Sequence, residues 1–187
     1  MMSEPQDSLA DTPPDEAVAA LAPARKRPKP GERRVQILQA LATMLEQPSG
    51  GRITTAALAA RLAVSEAALY RHFASKAQMF EGLIEFIEQS VFTLTGQIQQ
   101  REASALETAA QVGLRQAAQI ATMLIQFGEK NPGMARVMVG DALVFENERL
   151  QQRMNQFFDK VEATLKQCLR DGGPDAHAQV VVLLRAV

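Results

Sequence analysis

The 187-residue sequence predicts an all-α fold. Ala, Leu, Gln, Met and Glu are abundant, whereas aromatic residues make up 5% of the chain and Trp is absent. Straight-chain side chains lose little rotamer freedom in a helix, so this composition favours helices. Apolar residues also recur with helical spacing, and no segment shows the alternation typical of a strand. Composition and periodicity therefore agree on packed helices.

The N-terminal segment, residues 1–30, is predicted to be a disordered tail with a basic end. It is rich in Pro, Ala, Asp and Glu, and it has too little apolar surface to offset the entropy of ordering. Residues 1–24 hold five acidic and no basic residues, whereas residues 25–80 hold ten basic and three acidic residues. A basic segment beside acidic neighbours is typical of a module that binds a polyanion.

Three helices with short connections are predicted in the basic segment. Their expected ranges are residues 32–47, 55–62 and 66–73. Thr54 or Thr55 can cap the second helix, and Ser65 can cap the third, because a hydroxyl at this position accepts a hydrogen bond from a free backbone N–H. Only Ala63 and Val64 separate the two short helices.

Four longer helical segments are predicted after Ser75, which has the spacing of a capping box with Gln78. The predicted segments are residues 75–100, 105–127, 131–143 and 146–169. The apolar stripe of the first comprises Phe80, Leu83, Ile84, Ile87, Val91, Leu94 and Ile98. The apolar residues of the last are Leu150, Phe157, Phe158, Val161, Leu165 and Leu169. Asn131 followed by Pro132 fits a cap and first helical position, and residues 180–187 indicate the start of another helix.

Two short capped helices joined by a minimal turn are typical of a helix-turn-helix, whose second helix lies in the DNA major groove. Ser65, Ala67 and Ala68 are small, so the start of that helix can approach bases and backbone closely. Lys76 lies in the first turn of the next helix, where its charge opposes the helix dipole unless an anion is near. The alternative is a three-helix cluster that merely has a basic surface.

The run ITTAALAARLAVSEAALYRHFASKAQMF, residues 53–80, resembles the DNA-binding domain of TetR-family regulators. RRVQILQALATMLE before it, LIEFIE after it, and later FGEKNPG and ALVFENERLQQRMNQFFDKVEATLKQCLR extend the resemblance to the nucleoid occlusion factors of that family. The resemblance implies a cytoplasmic, nucleoid-associated homodimer, or a higher oligomer on DNA, that binds palindromic double-stranded DNA. It also implies a second partner, the tubulin-like division protein FtsZ, whose ring such a factor keeps from assembling over the nucleoid.

The resemblance also implies roles for individual residues. The residues expected to meet DNA are Thr54, Thr55, Ser65, Ala67, Ala68, Tyr70, His72 and Lys76. The residues expected to meet FtsZ are Phe86, Met123, Gln126, Lys130 and Asn131. Independently of the resemblance, Phe86 lies about 120° from the centre of its helix's apolar stripe, so the core of its own domain covers it at best in part. The alternative to a partner contact is that Phe86 packs against a neighbouring helix. Glu66 either faces a cytosine amino group or supports the helix start.

Domain organisation follows from these features. We expect a DNA-binding domain over residues 31–78 and a helical dimerisation and partner-binding domain over residues 79–187. The resemblance implies further C-terminal helices beyond residue 187, so the chain is expected to be truncated at its C-terminus. Ala63 stands where the family commonly has Gly, and a left-handed conformation there would cost roughly 1 kcal/mol.

Three other functions are alternatives to nucleoid occlusion. A TetR-type repressor released from DNA by a small molecule would need polar groups in an apolar pocket, for which Gln116, Gln119 and Gln126 are candidates. An enzyme is not expected, because His72, His177 and Cys168 are not placed beside a partner for catalysis. A helical interaction protein without DNA affinity is the third. The sequence predicts no cofactor, no metal site and no membrane association.

Overall fold

The computed structural model describes residues 31–47, 53–101, 106–144 and 146–171, which form α-helices, one short 3₁₀ turn and their connections. These ranges contain no strand, which confirms the all-α prediction. The predicted tail, its basic end and the helix start at residues 180–187 lie outside the described residues. The helices are α1 Glu32–Leu45, α2 Thr55–Arg61, α3 Glu66–Tyr70, α4 Lys76–Gln99, α5 Ala109–Lys130, α6 Pro132–Met138 and α7 Glu148–Asp171, with the 3₁₀ turn at Asp141–Leu143.

The three N-terminal helices share one apolar core with α4, α6 and the first part of α7. Ile37 and Leu41 of α1, Leu58 of α2 and Leu69 of α3 are fully buried in it. α3 ends at Tyr70 rather than at the predicted Phe73, because the amides of residues 72 and 73 both turn back onto the Leu69 carbonyl. That turn carries Phe73 into the core.

α4 runs through the centre of the fold. Its buried residues include Phe80, Ile84, Ile87, Val91 and Ile98, as the apolar stripe predicted. Leu94 is an exception, since its side chain is 37% exposed and Thr95 is buried instead. Helical spacing does not explain this difference, since Leu94 follows Val91 by three residues and precedes Ile98 by four; the packing of the neighbouring helices decides which of the two positions is covered.

α6 packs against α1 with almost no space between the backbones. A Cβ added at Gly133 would lie 1.9 Å from the Ala42 carbonyl oxygen, so glycine is required at this crossing. Arg136 fixes the same crossing, because its guanidinium donates to the Leu45 carbonyl at 2.9 Å and pairs with Asp141 at 2.6 Å. The end of α1 is thus capped by a side chain about ninety residues away.

α7 covers α4 and α5 along its length. Phe157 is buried against Phe92, whereas Phe158 is 41% exposed, contrary to the predicted apolar set, because adjacent helical residues point about 100° apart. Leu165 of that set is half-buried. Glu88 ties α4 to α7 through ion pairs with Arg153 and Lys160.

The pKa of Glu88 reflects two opposing effects. Burial raises it, but hydrogen bonds from Lys160 and Arg153, together with their positive charges, outweigh burial and hold the pKa below the ordinary value for Glu. The carboxylate is therefore more stable in the folded chain than in the unfolded chain.

Candidate nucleic-acid interface

The two short helices begin with the predicted hydroxyl caps. The Thr54 hydroxyl accepts a hydrogen bond from the Ala57 amide at 3.1 Å, so Thr54 rather than Thr55 caps α2. The Ser65 hydroxyl accepts from the Ala68 amide at 3.3 Å and caps α3. Ser75 caps α4 as predicted, but Gln78 reaches back to the Ala74 amide instead of completing the box at Ser75.

The turn between α2 and α3 has the geometry of a Schellman motif. The Ala63 amide donates to the Ala60 carbonyl at 3.1 Å, and the Val64 amide donates to the Ala59 carbonyl at 3.0 Å. Ala63 itself is left-handed, with φ of 52°, and no other non-glycine residue of the described ranges has positive φ. The strained alanine expected from the sequence is therefore present, and the motif fixes the angle between the two helices.

Buried side chains on the inner face of α3 fix the position of its exposed outer face. Leu69 and Phe73 are fully buried, whereas Tyr70, 44% exposed, and His72 remain at the surface. Arg34 of α1 lies with its guanidinium carbon 4.2 Å from the Phe73 ring centroid and donates to the His72 carbonyl at 3.2 Å. The sequence carries no local signal for this supporting role of Arg34, because it depends on how α1 packs beside α3.

Thr55 and Glu66 contact each other across the two helices. The Thr55 hydroxyl donates to a Glu66 carboxylate oxygen at 2.5 Å. This contact accounts for Glu66 as a support for the start of α3. A hydroxyl that donates to Glu66 does not donate to a phosphate at the same time, so Thr55 differs from Thr54 in what it offers to DNA.

Lys76 has an anion beside it, as its position at a helix start indicates, and that anion is the Glu146 carboxylate. The two side chains are 20% and 9% exposed, and the ammonium also lies 5.6 Å from the Phe80 ring centroid. The sequence pointed to a DNA phosphate at this position. In this structure the carboxylate of Glu146, seventy positions later in the chain, lies beside the Lys76 ammonium.

The residues expected to meet FtsZ lie on α4, α5 and the α5–α6 junction. Phe86 is 37% exposed and lines a shallow apolar depression with Val35 and Met134. Met134 belongs to the first turn of α6, which follows Lys130 and Asn131 directly. The fold thus places Phe86 beside the start of α6.

The α5 residues of that set share one face by their spacing. Gln126 and Lys130 are exposed, and Met123 is half-buried against the core. Asn131 precedes Pro132, which is the first residue of α6 as predicted, but its side chain does not cap α6. The side-chain amide of Asn131 instead donates to the Phe127 carbonyl at 2.8 Å. Asn131 also ends α5, and the last carbonyls of a helix lack partners within it.

Two segments of the chain match known protein families. Residues 37–83 match the bacterial regulatory proteins of the tetR family, and residues 111–176 match an SlmA-like domain described as tetracyclin repressor-like, C-terminal. The chain is 54% identical over 143 residues to nucleoid occlusion factor SlmA of Marinomonas sp. (strain MWYL1), which covers 76% of this chain and 68% of that protein. It is 52% identical over 145 residues to SlmA of Aliivibrio fischeri (strain MJ11), 77% and 70% of the two chains.

The chain belongs to the SlmA nucleoid occlusion factors of the TetR family. The chain is also 51% identical over 144 residues to SlmA of Vibrio vulnificus (strain YJ016), which covers 76% of this chain and 69% of that protein. Membership in this family favours nucleoid occlusion over a repressor that a small molecule releases from DNA.

The polar residues considered for a ligand pocket have other surroundings in this SlmA-family fold. Gln116 donates to the Gln99 carbonyl at 3.1 Å, and Gln126 is exposed. Gln119 has a buried side-chain oxygen without a hydrogen-bond partner in the described residues. Cys168 is buried and accepts a 3.6 Å hydrogen bond from Gln99, as expected of a small core residue. His177 lies outside the described residues.

Within the described ranges, no three His, Cys, Asp or Glu residues are grouped so that they could hold a metal ion. No helix in these ranges has the length and apolarity needed to cross a membrane.

Proposed function

We propose that this SlmA-family chain binds palindromic chromosomal DNA as a homodimer and, while bound, antagonises FtsZ polymers so that no division ring forms over the nucleoid. The observation that carries the proposal is the SlmA-like match of residues 111–176. A helix-turn-helix alone fits any TetR-family regulator, whereas the second half distinguishes nucleoid occlusion factors. In this proposal residues 31–78 bind DNA, residues 79–187 dimerise and bind the partner, and the protein acts in the cytoplasm at the nucleoid.

The DNA contact is proposed to run through α3 in the major groove. Its start offers Ser65, Ala67 and Ala68, whose small side chains let base edges and phosphates approach. Tyr70 at the end of α3 and His72 just after the helix are exposed, and we assign them to the phosphates on one side of the groove. Thr54, Thr55 and Lys76 complete the set.

The FtsZ contact is proposed to centre on Phe86. An aromatic side chain that is partly exposed beside an apolar depression is a common anchor for a protein partner. Gln126, Lys130 and Asn131 would form the polar rim, and Met123 would support it from the half-buried side. DNA and FtsZ would then occupy different faces of the molecule.

Sedimentation of FtsZ polymers with GTP tests the two-partner function. The chain is added alone, with a palindromic duplex that it enriches from genomic DNA, or with a scrambled duplex of equal length. Loss or remodelling of polymers only with the palindromic duplex is expected. Tight DNA binding with unchanged polymers would instead assign the chain to the ligand-released repressors, and the absence of sequence-specific DNA binding would leave a helical interaction protein.

Phe86→Ala separates the two surfaces. The variant is expected to bind the palindromic duplex within twofold of the wild-type chain and to lose most of its effect on FtsZ, since truncation of a hot-spot aromatic costs about 2 kcal/mol or more. Phe158→Ala is the matched control, because Phe158 is exposed to a similar degree but lies on α7. If Phe86→Ala loses DNA binding as well, Phe86 supports the fold rather than the partner.

A further inference from the structure

The Lys76–Glu146 ion pair joins the DNA-binding end of the molecule to the start of α7. Lys76 is the first residue of α4, and five residues separate α4 from the end of α3. Glu146 lies between the 3₁₀ turn and α7, next to Asn147, whose side-chain oxygen accepts a hydrogen bond from the Arg149 amide at 2.9 Å. A charge held by Lys76 therefore bears directly on the segment that leads into α7.

Both members of the pair are largely withdrawn from water, with Glu146 9% and Lys76 20% exposed. A carboxylate in such a position is costly when it loses its cation, because little water replaces the lost interaction. Arg71 and His72, which follow α3 and precede Lys76 in the chain, are exposed. A phosphate that approaches α3 would meet an ammonium that is already paired.

We propose that Glu146 is a positioning residue for DNA binding: it competes with a DNA phosphate for Lys76, and DNA binding frees the start of α7. The proposal rests on the DNA-binding function proposed above and adds a route by which DNA occupancy changes the second half of the chain. The coupling is reciprocal, so any change that loosens the start of α7 makes Lys76 more available to phosphate.

Glu146→Gln tests the competition while it keeps the size of the side chain. The probe is the palindromic duplex that the wild-type chain enriches, and the affinity of Glu146→Gln for it is expected to rise about fivefold or more, because a phosphate no longer has to break the ion pair. Lys76→Gln is expected to flatten the dependence of log affinity on log salt by about 0.9 for each protomer. In a Lys76→Gln background, Glu146→Gln is expected to change nothing.

Glu148→Gln is the matched control, because it removes the same charge two residues away from an exposed position. A general loss of repulsion from DNA would raise affinity equally in this control and would persist in the Lys76→Gln background. Hydrogen exchange of the first turn of α7 is the second measurement. It is expected to speed up when wild-type protein binds the duplex, and to be fast in folded Glu146→Gln without DNA.

Distinct results overturn distinct claims. If wild-type protein binds the duplex but Glu146→Gln binds no more tightly, or exchange at α7 does not respond to DNA, Glu146 only supports the fold and the competition is refuted. An unchanged salt dependence in Lys76→Gln also refutes it. If the wild-type chain shows no preference for the palindromic duplex over a scrambled one, the DNA-binding function itself fails.

Discussion

Replacement of Ala63 by glycine is expected to stabilise the protein. Ala63 has φ of 52°, a conformation that costs an L-residue with a Cβ roughly 1 kcal/mol and costs glycine almost nothing. The Ala63 side chain is exposed, so its removal forfeits little packing. Both hydrogen bonds of the turn use backbone atoms and remain in the variant.

The expected gain is about 0.5 kcal/mol, because glycine's greater freedom in the unfolded chain offsets part of the relief of roughly 1 kcal/mol. For a chain of this length this corresponds to a rise in melting temperature of about 1–2 °C. Thermal unfolding of wild-type and variant protein at equal concentration measures it, since dimerisation makes the melting temperature depend on concentration.

Ala60→Gly is the control for this reasoning. Ala60 is exposed within α2, where glycine is disfavoured, so this variant is expected to lose up to about 1 kcal/mol. Opposite signs at two exposed alanines three residues apart would come from backbone conformation alone. If Ala63→Gly melts below the wild-type protein, as Ala60→Gly should, the turn does not hold a strained residue and the argument is refuted.

Two further predictions concern packing and pH. Gly133→Ala is expected to lose about 3 kcal/mol of stability, because its Cβ would overlap the Ala42 carbonyl. Gly128→Ala, where an added Cβ has an ordinary contact distance, should be neutral or gain up to about 1 kcal/mol. Chemical denaturation of both variants measures this, and equal effects would contradict the tight crossing of α1 and α6. The folded pKa of Glu88 is lowered, so its stabilisation is present above the unfolded pKa and is lost as pH falls through the folded pKa. The stability difference between wild type and Glu88→Gln should therefore shrink on acidification, and a constant difference would remove Glu88 from the acid response.

The local features of the helix-turn-helix could be predicted because they depend on residues close in sequence. The hydroxyl caps at Thr54 and Ser65 each bond an amide three residues later, so type and spacing suffice to predict them. The left-handed Ala63 follows from a two-residue turn between two helices. The prediction that Asn131 caps α6 was wrong for the same reason: Asn131 lies between two helices, and the sequence does not say whether its side chain bonds the end of α5 or the start of α6.

The candidate surfaces were predictable only in part. The spacing of the α4 stripe left Phe86 outside the core, and the side chain is indeed partly exposed. What lies beside Phe86 was not predictable, because Val35 and Met134 come from α1 and α6. The same limit applies to Arg34, whose position over Phe73 depends on how α1 crosses the end of α3.

The sequence by itself determined the helices and the hydroxyl caps at Thr54, Ser65 and Ser75, because hydrogen bonds over three or four residues and a 3.6-residue period decide them. Tertiary structure alone decided that Lys76 faces Glu146, that Gly133 touches the backbone at Ala42, and that Glu88 bridges to α7. These contacts join residues about sixty-five to ninety positions apart. Such partners are chosen by the way whole helices pack, and a helix can present the same apolar stripe to its neighbours while its polar side chains meet quite different groups.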